Sequence, residues 1–564
     1  MNNVQLKESG FRSIKQLAAV WLAAVSALVV PLYMGNGYLE LIEQKAKLYI
    51  FLALPALIII AALEILEFAV TLLGGNAAQK DNLIGNEEAG QLSSPQEHTD
   101  SKDLRAAKAG RRKAPLRIKG RISISLLLLI AVWAIFSTLQ APDRKSSFFG
   151  TIGWSMGTLM LCSLICSTLC IILYLPTVMY MKNTNKEDND NALWVVLKRV
   201  VIAAAGLNSL IFIFAILQEG GADPFGLLAR IDRSYYYSYI STIGQKNSFT
   251  GYLCLLLPAA WGFFMESEKR ASTISLGIVS SLGILSAVLA DSDSLYAGLG
   301  VMLLVMIPYA LEKQQRTLRA AILMIIFGLC SLAAGLLPVF ADRVAHMGTI
   351  SSMIVTPLSG GLALTTGVIL AVFSVKCMDG EHKAAVRNLF LISEGMVVLA
   401  VIAEVIHTLI HFSDAWGTNR GLIWRTGMEK FLGFSFRRKL LGIGPEMIAI
   451  LYADLRRTMK INIVSAHCEP LHVLLSQGIL GLGLYILFWE YLLFVFIQNK
   501  LWRKPDAIWF FPLAAYFGQS IFCSAYPVTA CLFSILAGIY LQKAEKPVRY
   551  QSSRKLSNNI KETL

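Results

Sequence analysis

The chain has 564 residues, 55% of them hydrophobic, a mean hydropathy of +0.57 and a formal net charge of +14. So apolar a composition excludes an ordinary soluble domain and fits a protein that crosses a membrane many times. The basic excess does not indicate nucleic acid as a partner: cytoplasmic loops of membrane proteins collect Lys and Arg, and no zinc-finger spacing or nucleic-acid-binding motif occurs.

A span needs about 20 mainly apolar residues. The first unit, residues 1–74, holds apolar runs near 16–34 and 48–74. More spans follow the first run, so it is expected to be a retained helix and not a cleaved signal peptide. Residues 75–121 begin rich in Gly, Asn, Gln, Glu and Ser and end basic at Arg111-Arg112-Lys113. This composition predicts a disordered cytoplasmic loop with a membrane-facing basic end. The unit 122–410 carries runs near 122–140, 151–181, 198–217, 248–265, 271–290, 295–310, 319–340, 353–375 and 386–410. Cys162, Cys166 and Cys170 recur at helical spacing in the second of these, and none of the nine cysteines forms a CxxC pair. They are expected to be small packing residues and not metal ligands. A long polar segment, 411–478, precedes the unit 479–542, with runs near 479–497, 507–524 and 526–542, and a basic tail, 543–564. The expected fold class is all-α, a polytopic transmembrane helical bundle of about 12–14 spans.

Lys/Arg placement sets the orientation. With the N-terminus inside, the inner segments carry Lys7, Arg12 and Lys15, then Lys182 to Arg199, Lys269-Arg270, Lys313 to Arg319, Lys376 to Arg387 and Lys500 to Lys504. Both termini are then cytoplasmic and 411–478 faces out, together with 218–247. Segment 411–478 holds nine basic residues against five acidic ones. That balance suits an anionic ligand such as a diphosphate, and equally a face resting on anionic headgroups.

Thr418 or Asn419 is expected to cap a helix with Leu422, Ile423, Met428 and Phe431 on its apolar side. Arg420 and Trp424 share a face of it. Gly442-Ile-Gly-Pro445 forms a turn, and a second short helix follows near 446–460 with Arg456-Arg457 late on it. Ala466-His467-Cys468-Glu469 then enters the helix leading to the next span.

Arg420-Gly-Leu-Ile-Trp424, Leu441-Gly-Ile-Gly-Pro445 and His467-Cys-Glu-Pro-Leu471 with Gly478-Ile-Leu-Gly481 resemble the core of the O-antigen ligase and polymerase superfamily. The pattern there is an Arg-x-x-Ile-Trp helix, a Leu-Gly-x-Gly-Pro turn and a His-Asn-x-x-Leu helix running into Gly-Leu-Leu-Gly. Upstream, Gly244-Gln-Lys-Asn247 resembles that family's Gly-Asn-Pro-Asn segment, and Asp291-Ser-Asp293-Ser294 its Ser-Arg-Gly segment. The resemblance covers about 240–500. Cys468 stands where Asn is usual, and Asp293 where Arg is usual. Arg230, Arg233 or Lys246 then offers the missing cation.

The resemblance implies a GT-C-like bundle. It also implies transfer of a glycan from an undecaprenyl-diphosphate carrier to a hydroxyl on a lipid or glycan acceptor, outside the bacterial inner membrane, with no nucleotide sugar, cofactor or metal. Such chemistry needs guanidinium groups on the leaving diphosphate and a group to take the acceptor's proton, a task suited to His. Arg420 and His467 are therefore the expected catalytic residues. Arg425, Arg233, Lys246, Asn247 and Trp424 are expected to bind substrate. A ligase and a polymerase extending lipid-linked repeats share this pattern. A lipid-linked glycan flippase or transporter is the alternative of a different class, but no paired halves occur. Glu404, His407 and His411 lie at i, i+3 and i+7 and are expected to serve an interface. Glu64 and Glu67 are intramembrane acids near an inner interface. Tyr235-Tyr236-Tyr237 and Trp261 fit aromatic belts.

Overall fold

The computed structural model describes residues 3–88, 122–151, 153–175, 189–344, 347–377, 411–459 and 463–545, with a few positions between 384 and 396. Most of the expected span 386–410, the insert from 89 to 121 and the tail beyond 545 lie outside the described residues.

The protein is all-α and multi-pass. Ten helices are long and apolar enough to cross a membrane: Gly10–Leu32, Leu41–Val70, Ile122–Leu139, Lys246–Glu266, Arg270–Leu289, Asp293–Ala310, Gln314–Leu336, Pro357–Lys376, Glu469–Gln498 and Pro527–Ala544. Two more expected spans appear as the helices Thr158–Tyr174 and Asn189–Glu219. The helix that starts at Leu41 runs to Glu88. Its last turns therefore occupy 75–88, where composition predicts disorder. The run 507–524 is not a single span. A 3-10 turn, Pro505–Trp509, leads into the ten-residue helix Phe511–Ser520, and the chain reverses through Ile521–Tyr526 before Pro527–Ala544. Antiparallel pairing of Tyr239–Ile240 with Gly244–Gln245 is the β-structure among the described residues.

Lys246–Glu266 and Pro527–Ala544 form the middle of the bundle, 83% and 78% enclosed by protein. Phe511–Ser520 packs against Lys246–Glu266 and Asp293–Ala310. Outer helices instead turn large apolar side chains outward, such as Phe51, Phe68, Leu358 and Phe494. In water such a surface would aggregate; in a bilayer it is the natural contact with lipid.

Two buried cations of the bundle are held by carboxylates. Lys15, almost fully buried, bridges Glu64 and, at 2.8 Å, Glu67, while the Tyr174 hydroxyl also donates to Glu64. The two intramembrane acids thus brace the first helix against the second. Arg316, without solvent contact, pairs with Glu266 and lies 3.8 Å from the Tyr309 ring centroid. Pairing of this kind is what permits ionised groups at membrane depth.

Candidate functional site

Segment 411–478 folds into four short helices at one end of the bundle: Trp416–Leu432, Phe436–Leu441, Ile448–Leu451 and Ala453–Met459. The helical turn opens at Trp416, but Gly417 and Asn419 are left-handed, at φ 59° and 68°. Regular helix therefore begins at Arg420. Ile423 and Phe431 form its buried side with Tyr452, whose hydroxyl donates to the Ile423 carbonyl at 2.8 Å. Met428 is exposed and belongs to the other face. The second expected helix, 446–460, starts only at Ile448 and is split at Tyr452, and Glu446 before it is left-handed and buried. Its carboxylate accepts from the Met156 amide at 2.7 Å, the Thr151 amide at 3.2 Å and the Thr151 hydroxyl. Burial raises its pKa, and these bonds oppose the rise. Glu446 thus clamps segment 411–478 to the 151–156 loop.

Two glycine motifs interlock. Gly442 and Gly478 are left-handed, at φ 74° and 73°, and each presses its backbone on the other's strand of chain. A Cβ at Gly442 would meet the Ser476 carbonyl, and one at Gly478 the Leu440 carbonyl. Ile443 N donates to Leu475 O at 3.1 Å and Gly444 N to Ser476 O at 2.8 Å. The Ser137 hydroxyl bonds the carbonyls of Leu441 and Ser476, and Trp133 Nε1 that of Gln477. Only glycine tolerates both the left-handed backbone and this approach.

Trp424 Nε1 donates to the Ala466 carbonyl at 3.1 Å, tying the Arg420 helix to the residue before His467. His467 is left-handed, at φ 49°, a conformation sparsely used by side-chain-bearing residues. It is half-buried. Burial, then the positive charge of Arg420 and the neighbouring His472, lower its pKa to about 4. At neutral pH its imidazole is uncharged and free to accept a proton.

Arg420 is half-buried and within electrostatic range of His467, Cys523 and Tyr526. Among the described residues, no carboxylate forms an ion pair with it. Tyr526 lies close to the side chains of Asn247 and Gln245, and Gln519 donates to the Asn247 carbonyl at 3.2 Å. Lys246 beside them pairs with Asp291 at 3.6 Å. Arg420, His467, Trp424, Asn247 and Lys246 therefore belong to one neighbourhood.

Two expected residues do not join it. Arg425 is half-exposed and engaged by Asp414 and, at 3.8 Å, by Glu429. Five residues separate it from Arg420, which turns it well round the helix. Arg233 lies exposed on the 3-10 turn Arg233–Ser238, whose start Asp232 caps. His411 is exposed, whereas Glu404 and His407 lie outside the described residues.

Asp293 has a different task from an Arg at its position. Its Oδ1 accepts from the Ser351 amide at 3.0 Å and hydroxyl at 3.1 Å, and Asp291 Oδ1 accepts from the Gly348 amide at 2.7 Å. Both acids hold the start of the Thr349–Ile354 helix. Burial pushes the Cys468 thiol up to about 11, so it stays protonated and is no nucleophile at neutral pH.

Sequence reasoning missed Cys523, Tyr526, Gln519 and Glu469. The available signal was polarity: Gln519-Ser520 and Cys523-Ser524 interrupt an apolar stretch, and broken helices at membrane depth line sites. No family model matches this chain, and comparison with curated proteins and with solved structures finds no match.

Proposed function

We propose that this chain is a membrane glycosyltransferase of O-antigen ligase type, with a GT-C-like bundle. It transfers a glycan from an undecaprenyl-diphosphate carrier to an acceptor hydroxyl on the outer face of the bacterial inner membrane. The observation that carries the reading is the meeting of a half-buried Arg420, lacking a carboxylate partner among the described residues, with an uncharged His467. A guanidinium held this way calls for an anion from outside the chain. The basic segments at the opposite ends of the helices support a cytoplasmic place for that end and for both termini.

In this reading Arg420 takes the diphosphate of the donor, while Lys246, Asn247 and Trp424 shape the site around it. The acceptor oxygen attacks the sugar's anomeric carbon as the bond from that carbon to the phosphate oxygen breaks. The bonding pair leaves on the diphosphate, where Arg420 stabilises it. The acceptor's proton passes to His467 and from there to water. A bound diphosphate offsets the Arg420 charge that depresses His467, so donor binding strengthens the base when it is needed.

The test is purified full-length protein in nanodiscs with an undecaprenyl-diphosphate glycan. Lipid acceptors and further lipid-linked repeats are supplied in parallel, which separates a ligase from a polymerase. Acceptor-dependent release of undecaprenyl diphosphate is expected, and it persists in excess EDTA. Release that survives Arg420→Ala combined with His467→Ala overturns the proposal.

A further inference from the structure

The basic residues of segment 411–478 do not all gather round Arg420. Arg437, Arg438 and Lys439 stand together on the short helix Phe436–Leu441, and all three are exposed. None of them forms an ion pair among the described residues. Phe436, just ahead of them, is 78% exposed, the most open large apolar side chain among the described residues, and Leu432 before it is 64% exposed. Neighbouring like charges repel and bare apolar groups are unfavourable in open water. A stretch that combines both is built to meet something with the opposite charge and an apolar interior.

The depth of this helix is fixed by two hydrogen bonds. Ser137, two residues before the end of Ile122–Leu139, donates to the Leu441 carbonyl at 2.8 Å. Trp133 Nε1, one turn earlier, donates to the Gln477 carbonyl at 2.9 Å. Leu441 is thus level with the last turn of that span, about 3 Å along the axis from its end. Close by, Leu139, Ile479 and Leu480 turn outward, as lipid-facing residues do. A first turn that stands clear of the protein at this level lies in the headgroup layer. Aromatic side chains settle there, and long basic side chains reach along it with their charged ends.

We infer that Leu432, Phe436, Arg437, Arg438 and Lys439 form a docking surface for anionic phospholipid headgroups, on the bilayer face that carries segment 411–478. The inference does not rest on the glycan-transfer reading. Charge complementarity names the occupant. A single small anion is held by donors that converge on it, whereas these cations are open and spread round one helical turn. A leaflet offers many phosphates side by side, so each cation finds one, while Phe436 and Leu432 enter toward the acyl chains. The docked stretch joins two parts of the candidate site. Leu432 closes the helix that carries Arg420, and Phe431 beside it meets Phe434 edge-on at 5.8 Å. At the other end Leu441 runs into the Gly442–Gly478 crossing, on the helix that follows His467. An anionic leaflet therefore steadies the segment between Arg420 and His467 from the membrane side.

The experiment measures hydrogen exchange on the full chain in nanodiscs of phosphatidylcholine alone and in nanodiscs rich in phosphatidylglycerol. Amides of 433–441 are expected to exchange about tenfold more slowly, or slower still, in the anionic bilayer, since each Lys or Arg at such a surface favours contact about fivefold. The difference is expected to fade as added salt shortens the screening length from about 10 Å at 0.1 M to about 3 Å at 1 M. Arg437→Gln, Arg438→Gln and Lys439→Gln combined are expected to abolish it, with unchanged exchange in Glu469–Gln498 as the control for folding. Phe436→Ser is expected to speed exchange of 433–441 in both bilayers. Equal exchange of the wild type in the two bilayers, or a difference that survives the triple variant, overturns the docking surface. So does equal protection by inorganic diphosphate in the neutral bilayer, which would make the three cations a site for a free anion.

Discussion

His467 makes a quantitative prediction about pH. Its pKa is lowered from 6.5 to about 4 by burial first, then by Arg420 and His472. In the unfolded chain the imidazole takes up a proton near 6.5; in the folded site it does so only near 4. The unfolded state therefore binds more protons between these values, and stability falls as pH drops through that window. Above 6.5 both states are neutral and the full stability is present. The difference of about 2.5 pH units corresponds to a ceiling of about 3 kcal/mol, reduced by the solvent contact that His467 retains. Diethyl pyrocarbonate modifies neutral imidazole, so peptide-resolved modification rates against pH report the protonation of His467 directly. A midpoint near 4 is expected in the ligand-free protein, and a midpoint shifted upward once undecaprenyl diphosphate is bound. A ligand-free midpoint near 6.5 would refute the burial argument, and an unmoved midpoint on carrier binding would refute the place given to Arg420.

Gly478→Ala and Gly442→Ala are each expected to destabilise by more than about 3 kcal/mol, because left-handed strain adds to a backbone overlap; thermal unfolding and protease susceptibility of segment 411–478 check this. Arg420→Ala is expected to lower kcat/KM for transfer about a hundredfold, as loss of a transition-state donor does. Arg425→Ala, which removes only exposed ion pairs, is expected to change stability by no more than about 1 kcal/mol; equal losses of transfer rate from the two variants would return Arg425 to the diphosphate. Asp293→Ala leaves the Ser351 amide without its acceptor and is expected to cost about 1–2 kcal/mol, with faster hydrogen exchange at 348–351 as the readout.

Much of this protein was legible along the chain. Each span is a local property: some 20 apolar residues in a row must bury their backbone polar groups in a helix once they lie in lipid. Ten of the expected runs accordingly reappear as helices of spanning character. The glycine turn of the polar segment 411–478 was legible too, since left-handed backbone selects glycine wherever it occurs. Of the run near 151–181 the helix takes Thr158–Tyr174, and 507–524 contains a reversal that hydropathy averages away.

Tertiary structure decided which polar residues act together. Arg420 and Arg425 are equivalent by charge and motif distance, yet one faces His467 and the other is held by Asp414 and Glu429. The choice depends on the rotation of a single helix, locked by Trp424 on the Ala466 carbonyl and by Tyr452 on the Ile423 carbonyl. Asp293 read as a missing cation until Ser351 appeared as its partner across the fold. Tyr526, Cys523 and Glu469 reach the site only because the Ile521–Tyr526 reversal folds back beside the start of the Glu469–Gln498 helix. Periodicity records which face of a helix is apolar; it holds no information on which distant backbone carbonyl will fix that face, and here those bonds set the site.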